Sequence, residues 1–576
     1  MTETNKIIKK NRRFWLYLLP MFCALLLPGL GMLVRPTTQP IGNTVLAEMP
    51  ALYLTDGSFN REYLQQLGSY YEDHFAFRPE MVTADSVLKK EAFGISSQES
   101  VITGTDGWLY YEATLDDFQH KNNVSDRILF NEAHNIRLMQ EYARQQGAEF
   151  VFTIAPNKNT LYPEHMPERY KIRYAKESDF DRLIPFLNAE GVNYVDLDAL
   201  FRETPEVLYY ARDSHWTEKG AVLAYNALLD AAEHPHETYE ETEPWASQDY
   251  YGDLGAMLYP SGAYPEEQLH YLDYPVYAYV TETESVEENE IVTINPSAEG
   301  SLLMFRDSFG NSLLPYMAQV FYSASFSKTV PYRMTDAADG AADVVIVERV
   351  ERHLPTLSSV APLMPGILRD PETEGIMKPE TPCAEAEQSV EGEYYVFTGK
   401  IDPDIAVVDA RIYLELTDLS NTRCYEAFCT NTRDSDFAFT LYVPAAEIDT
   451  QVLKTRALVQ NAEQWILGTE IISPEYEKIL AEREAEKAQR YAEYVDVTEE
   501  TAELLYAAET ELEQVTAGQE TALRSVPESA EEPEEQKEAA AEEAEEVSRV
   551  YIEDCGRDTG YWEITYSDGH VEYVDD

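Results

Sequence analysis

The sequence predicts an α/β domain built on a parallel sheet, followed by a β-sandwich, and three patterns carry that reading. Short, continuously apolar runs at Glu149–Ile154, Val192–Val195, Ser301–Phe305 and Asp343–Val347 alternate with helical stretches, as buried parallel strands do. From Glu391 to Ser473 the pattern changes to strict alternation: Ala410, Ile412, Leu414 and Leu416 share one face, and Phe437, Phe439, Leu441 and Val443 share another. The chain of 576 residues is also too long for one hydrophobic core, so several packed units are expected.

At the N-terminus, residues 1–13 form a basic segment, with Lys6, Lys9, Lys10, Arg12 and Arg13 against Glu3. Phe14–Val34 follows as 21 residues without a charge, long enough for one transmembrane helix over 14–34. Pro20, Pro28, Gly29 and Gly31 are tolerated in such a segment. The basic flank orients it with the N-terminus cytoplasmic and the bulk of the chain extracytoplasmic, a single-pass protein of the cell membrane. A cleaved signal peptide is the rival reading, since Val45-Leu46-Ala47 has the small-x-small form of a cleavage site.

The α/β domain is expected over 48–372, with helices at Glu62–His74, Thr83–Phe93 and Asp126–Gln146 between and before the strands. The sandwich takes 391–473. Residues 475–547, rich in Glu, Ala, Gln and Lys, read as an acidic linker, helical at first and solvated around Pro533. In the last unit, 548–576, alternating residues flank Ser567-Asp568-Gly569 and predict a β-hairpin.

Composition removes some functions. With 105 acidic and 44 basic residues the net charge is −61, which excludes a reader of the phosphate backbone, so no nucleic-acid partner is expected. The linker holds 24 acidic and 6 basic residues, so most of the excess lies on the folded units. The five cysteines, at 23, 383, 424, 429 and 555, lack CxxC spacing and support neither a zinc site nor a disulfide scaffold. Cys424 and Cys429 are expected on opposite sides of one strand. His234 and His236 have no carboxylate at helical ligand spacing, and no metal or cofactor is expected.

Sites in open α/β sheets form beyond the carboxyl ends of the strands. Leu208–Ala221 delivers Asp213 and His215 from an extended stretch, after which Thr217 can cap a helix. A carboxylate beside an imidazole fixes its tautomer, leaving the other ring nitrogen as a base. Ser301–Ser312 reads as strand, tight turn and helix start, placing Ser308 where backbone N–H groups stabilise an oxyanion. Either segment alone reads equally as a satisfied loop or a helix cap; together at strand ends they predict a Ser-His-Asp triad. Asn157, Lys158 and Arg306 are candidates for an oxyanion or substrate contact, against a turn role for the first two. Trp216 is open between stacking on a sugar ring and filling core. Glu348 and Arg352 are expected to form a structural ion pair.

Asp213-Ser-His-Trp216 with its Thr/Lys/Gly continuation, and Arg306-Asp-Ser-Phe-Gly-Asn311 downstream, resemble the DHHW proteins and the related alginate O-acetyltransferase components, whose domains are similar to SGNH hydrolases. Asp73–Arg78, Gly104–Leu109, Ala155–Lys158, Tyr162-Pro-Glu164 and Asp343–Glu348 agree, so the resemblance covers about 48–372. It implies Ser308 as nucleophile, His215 as general base and Asp213 as its orienting partner, with the Asp-x-His element preceding the serine. Two departures stand out. Ser214 occupies the second histidine position of the name-giving motif, and Arg306-Asp307 stand where the alginate enzymes have small residues.

The resemblance implies an extracytoplasmic serine O-acyltransferase acetylating a cell-surface or exported polysaccharide, partnered by a membrane-bound O-acyltransferase. A surface carbohydrate esterase and a catalytically silent glycan-binding scaffold are the alternatives.

Overall fold

The computed structural model describes residues 57–371 without a break, together with 17–23, 26–39, 41, 46–54, 375–419, 421–448, 453–494, 546–553, 560–566 and 571–575. The basic segment 1–13, most of the acidic linker (495–545) and the Ser567-Asp568-Gly569 turn lie outside these residues.

Seven strands form the central sheet: β1 Glu149–Ala155, β2 Tyr194–Val195, β3 Ala278–Tyr279, β4 Glu290–Ile294, β5 Ser301–Phe305, β6 Ser323–Ser327 and β7 Val344–Val350, in the order β2-β1-β7-β5-β6-β4-β3. The five strands from β2 to β6 run parallel, whereas β4 pairs antiparallel with both β6 and β3. The all-parallel expectation is therefore corrected to a mixed sheet. Strands β1, β5 and β7 are buried along nearly their whole length, which is why their sequences are apolar without alternation.

Helix α1, Asp126–Gln145, starts at Ser125, whose side chain accepts from the Ile128 N–H. It is covered on both sides. Leu129, Ala133 and Ile136 pack with Phe150 and Phe152 of the sheet, while Phe130 joins the core of the sandwich. Helix α2, Glu218–Ala231, and α3, Leu314–Val320, follow the two segments that carry the candidate triad.

The sandwich is present as two antiparallel sheets. Strands β8 Ile367–Arg369, β11 Arg411–Thr417, β12 Thr422–Glu426, β15 Lys454–Asn461 and β16 Gln464–Ile472 pair in the order β8-β12-β11-β15-β16. Strands β9 Ala384–Glu391, β10 Tyr394–Ile401, β13 Phe428–Thr432 and β14 Ser435–Pro444 pair in the order β9-β10-β14-β13. Its first strand thus comes from a stretch assigned to the α/β domain. Arg369 explains why: its guanidinium bridges Glu141 on α1 and Glu426 on β12. Cys424 and Cys429 lie on β12 and β13, two strands of different sheets, and both are buried free thiols.

Helical backbone occupies 17–23 and 26–32. The transmembrane helix expected over 14–34 is not supported: among the described residues, no helix is long and apolar enough to cross a membrane. The Pro28 carbonyl instead accepts from the Ala76 N–H, docking this stretch on the turn between helices Tyr63–His74 and Arg78–Phe93. Near the C-terminus, Glu546–Glu553, Gly560–Tyr566 and Val571–Asp575 form a three-stranded antiparallel sheet, one strand more than the predicted hairpin.

Candidate active site

The loop after β2 is a narrow turn. Tyr209 bridges to Trp216, and the Thr217 N–H donates to the Leu208 carbonyl at 2.7 Å. Beneath it lies Lys158, only 4 % exposed, which donates to the carbonyls of Leu109, Ala211 and Asp213 at 2.7, 2.8 and 2.9 Å. Its ammonium sits 4.9 Å from the centre of the Trp108 ring and 5.2 Å from that of Tyr110. Burial lowers its pKa to about 7. Lys158 thus holds the loop in shape, and its donors point into backbone rather than toward a substrate.

On this support Asp213 accepts from the His215 N–H at 2.8 Å and from His215 Nδ1 at 2.7 Å. Its other oxygen accepts from the Tyr250 hydroxyl at 2.9 Å and the Asp253 N–H at 2.8 Å. Because the carboxylate demands a donor at Nδ1, Nε2 is left as the acceptor, and the Ser308 hydroxyl lies 2.8 Å from it. The structure therefore brings Asp213, His215 and Ser308 into one hydrogen-bonded relay.

Ser308 is placed from the other side. The Asp307 N–H donates to Glu348 Oε2 at 3.1 Å, and the Asp307 carboxylate accepts from the N–H groups of Phe309 and Val350 at 2.9 and 2.7 Å. This pins the turn that follows β5 against β7, just before the 3-10 turn Phe309–Asn311. Burial and the adjacent Asp307 charge hold Glu348 well above the usual carboxylate range. Gly310 is needed by contact: a Cβ there would lie 2.6 Å from Arg306 Cβ and 3.1 Å from Glu348 Oε2.

The electrostatics suit a base. Burial opposes charge on His215, but Asp213, and behind it Asp253, outweigh burial and raise the imidazole above its ordinary value. Burial likewise pushes Asp213 up, but His215 and the hydrogen bonds to the carboxylate hold it well below the usual range. Asp253 is raised to about 6 by burial and by the neighbouring Asp213.

Tyr250 and Asp253 were not anticipated from the sequence. Asp253 accepts from the Ser214 N–H at 2.8 Å and the Ser214 hydroxyl at 2.5 Å, so the residue that departs from the family motif acquires its own carboxylate partner. The available signal is Gly252: a Cβ there would meet the Arg212 carbonyl at 2.4 Å and the Asp213 nitrogen at 2.8 Å, so the chain closes on the Asp213 loop only through glycine.

The remaining candidates fall outside the relay. Asn157 is buried at the end of β1, its N–H on Glu351 at 2.7 Å and its amide on Asp117 at 3.0 Å. Arg306, 1 % exposed, donates to Asn311 and to the carbonyls of Val286 and Glu288. Trp216, 2 % exposed, packs edge-on against Phe309 and donates to the Ser312 hydroxyl, which makes it core. Glu348 and Arg352 form no ion pair, because the Glu348 carboxyl turns to the Asp307 nitrogen. Among the described residues, Asp213, His215 and Asp253 are the group whose ligand atoms lie within 4.8 Å of one another, but both ring nitrogens of His215 already serve the relay.

The chain thus carries an α/β fold in which Asp, His and Ser converge at the strand ends of a mixed sheet. The comparisons agree: residues 101–295 match the family described as SGNH hydrolase-like domain, acetyltransferase AlgX, a span that includes Asp213 and His215 and ends before Ser308. Over 209 residues the chain is 25 % identical to the probable alginate O-acetylase AlgJ of Pseudomonas syringae pv. tomato, covering 34 % of this chain and 51 % of that protein. The chain thus spans about half the length of that curated relative. Bacillus cereus PatB1 is similar in structure, with a TM-score of 0.36 and 17 % identity over 44 % of this chain and 96 % of that one. A DHHW family protein from Eubacterium siraeum has a TM-score of 0.32 and 15 % identity over 44 % of this chain and 91 % of that one. The resemblance to alginate acetylase components read from the motifs is shared by the matched family and the curated relative.

Proposed function

We propose that the protein is an extracytoplasmic serine O-acyltransferase that moves an acetyl group onto hydroxyls of a cell-surface or exported polysaccharide. The observation that carries this is the relay Asp213–His215–Ser308, with links of 2.7 and 2.8 Å. His215 Nε2 takes the Ser308 proton as Oγ attacks the acyl carbonyl, and backbone N–H groups at the turn after β5 receive the oxyanion. The leaving group departs with that proton. An acceptor hydroxyl, deprotonated by the same nitrogen, then attacks the acyl-serine and releases Ser308. Asp213 keeps its charge throughout and holds the imidazolium in place.

The similarity to proteins named as alginate O-acetylases supports acyl transfer to a glycan. An extracytoplasmic location is proposed from the basic N-terminal flank. A membrane-bound O-acyltransferase is the proposed source of acyl groups.

The test is labelling of the full chain by a serine-reactive fluorophosphonate. Wild type should be labelled and Ser308→Ala should not; unlabelled wild type would sink the reading. With an acetyl donor and a saturating oligosaccharide, acetylated glycan should exceed free acetate, and the reverse would make the protein an esterase. Protease added outside intact cells should digest the bulk of the chain.

A further inference from the structure

Arg352 stands in the turn Glu351–His353 that follows β7, on the same edge of the sheet as Ser308. Its guanidinium carbon lies 5.9 Å from the centre of the Phe309 ring and 5.4 Å from that of Tyr111. The Phe309 ring, next to the serine, also touches His215 at 4.8 Å. The cation and the base thus share one aromatic wall.

Arg352 is half-buried, and its Nε is shut away from solvent without a hydrogen-bond partner. Among the described residues it makes no ion pair within 4.0 Å, although acids outnumber bases 105 to 44 in the chain. By contrast, Arg182 in the same domain is paired with Asp126 and Asp179. The buried Asp117 carboxyl senses its charge but lies beyond ion-pair distance, and two rings nearby offset only part of the cost of removing the cation from water. A guanidinium beside aromatic rings and without an ion pair can offer its planar fork of N–H donors, which is the geometry that grips a carboxylate or phosphate.

On the acyltransfer reading above, we propose that Arg352 is the anion subsite for the acceptor: it binds a carboxylate or phosphate group carried close to the hydroxyl that receives the acyl group. A neutral glycan leaves the guanidinium unpaired, whereas an anionic one completes it, so the subsite selects the acceptor and orients its hydroxyl toward Ser308. The chain's overall acidity repels polyanions at a distance and is screened by salt, so recognition at this single cation is expected to survive physiological ionic strength.

The test compares wild type, Arg352→Lys and Arg352→Gln, each as the full chain and each checked for native circular dichroism. Transfer is measured to a neutral oligosaccharide, an oligouronate and an oligomer bearing glycerol phosphate. The quantity read is the ratio of kcat/KM for each anionic acceptor to that for the neutral one. Wild type should favour one of the anionic acceptors, which tells carboxylate from phosphate. Arg352→Gln should reduce that ratio about tenfold to a hundredfold through KM, with Arg352→Lys between. An unchanged ratio, or a wild type indifferent to acceptor charge, overturns the proposal. Calorimetric binding of the same oligosaccharides to Ser308→Ala, with and without Arg352→Gln, decides the subsite without any chemistry. Selective anion binding lost with Arg352 but with no acyl transfer by wild type would sink the enzymatic reading and leave the subsite standing.

Discussion

Asp213 accepts four hydrogen bonds, and only one of them comes from the imidazole nitrogen it must orient. Asp213→Asn would keep the shape but present an amide that favours the wrong His215 tautomer, so kcat for ester cleavage should fall by about 10³–10⁴-fold with folding intact. The raised His215 sets the pH dependence. His215 accepts a proton only when neutral, and its ordinary value is 6.5, so the acid limb of kcat/KM should lie above pH 6.5. Asp253 contributes to that rise, and Asp253→Asn should move the limb toward lower pH. A limb that stays in place would show that Asp213 alone sets it. Asp213, held below 3.8, stabilises the fold above that value and loses this as pH falls through its lowered pKa. The three relay residues could be read from sequence because their types sit beside strand patterns. Asp253 could not, because it arrives from a stretch with no strand signal and reaches Asp213 with its backbone nitrogen. Arg306 and Lys158 look functional by type, yet burial turns both into supports for backbone carbonyls.

The element that carries Ser308 is a turn without slack. Asp307 ties it to β7 and Phe309, Arg306 anchors it to the loop near Glu288, and a Cβ on Gly310 would lie 2.6 Å from Arg306 Cβ. Gly310→Ala should therefore shift the turn and destabilise the protein by about 1–3 kcal/mol, read from the urea midpoint, and should slow fluorophosphonate labelling beyond what the lost stability explains. Normal labelling in a destabilised variant would separate the turn from the chemistry. Strands β1, β5 and β7 were legible because continuous burial requires continuous apolar sequence. The antiparallel edge was not: β4 alternates between buried and half-exposed positions, and β3 is two exposed residues, so neither resembles a buried parallel strand. Strand β8 was missed for a different reason. It is recruited by the Arg369 ion pairs to Glu141 and Glu426, partners from 228 and 57 residues away along the chain.

Across the whole molecule, α1 joins the α/β sheet to the sandwich. Its polar side chains are buried, with Asn131 and Asn135 at 0 and 1 % exposure, and the amide nitrogens of both donate to the sandwich. Asn131 donates to the carbonyls of Thr430 and Asp436 at 3.2 and 2.9 Å, while Asn135 both donates to the Cys429 carbonyl and accepts from its N–H at 3.0 Å. His134 adds a 2.9 Å link to Glu190, which Arg411 of the sandwich also grips at 2.8 Å. The two units that the sequence separates by pattern thus share one helix, and nothing in a pattern of apolar residues reports that, because the seam is built from amides and charges. Such a seam couples folding: a buried amide stripped of its partner costs about 1–3 kcal/mol, and deleting 384–472 would strip several at once while exposing Phe130. The full chain should accordingly unfold α/β domain and sandwich in one transition, with tryptophan fluorescence and far-ultraviolet dichroism giving the same midpoint. Asn135→Ala should lower that midpoint for both probes together, by an amount equivalent to about 1–3 kcal/mol. Two separated transitions, or a chain lacking 384–472 that still labels at Ser308 with unchanged thermal stability, would show that the catalytic domain stands alone and that α1 merely touches the sandwich.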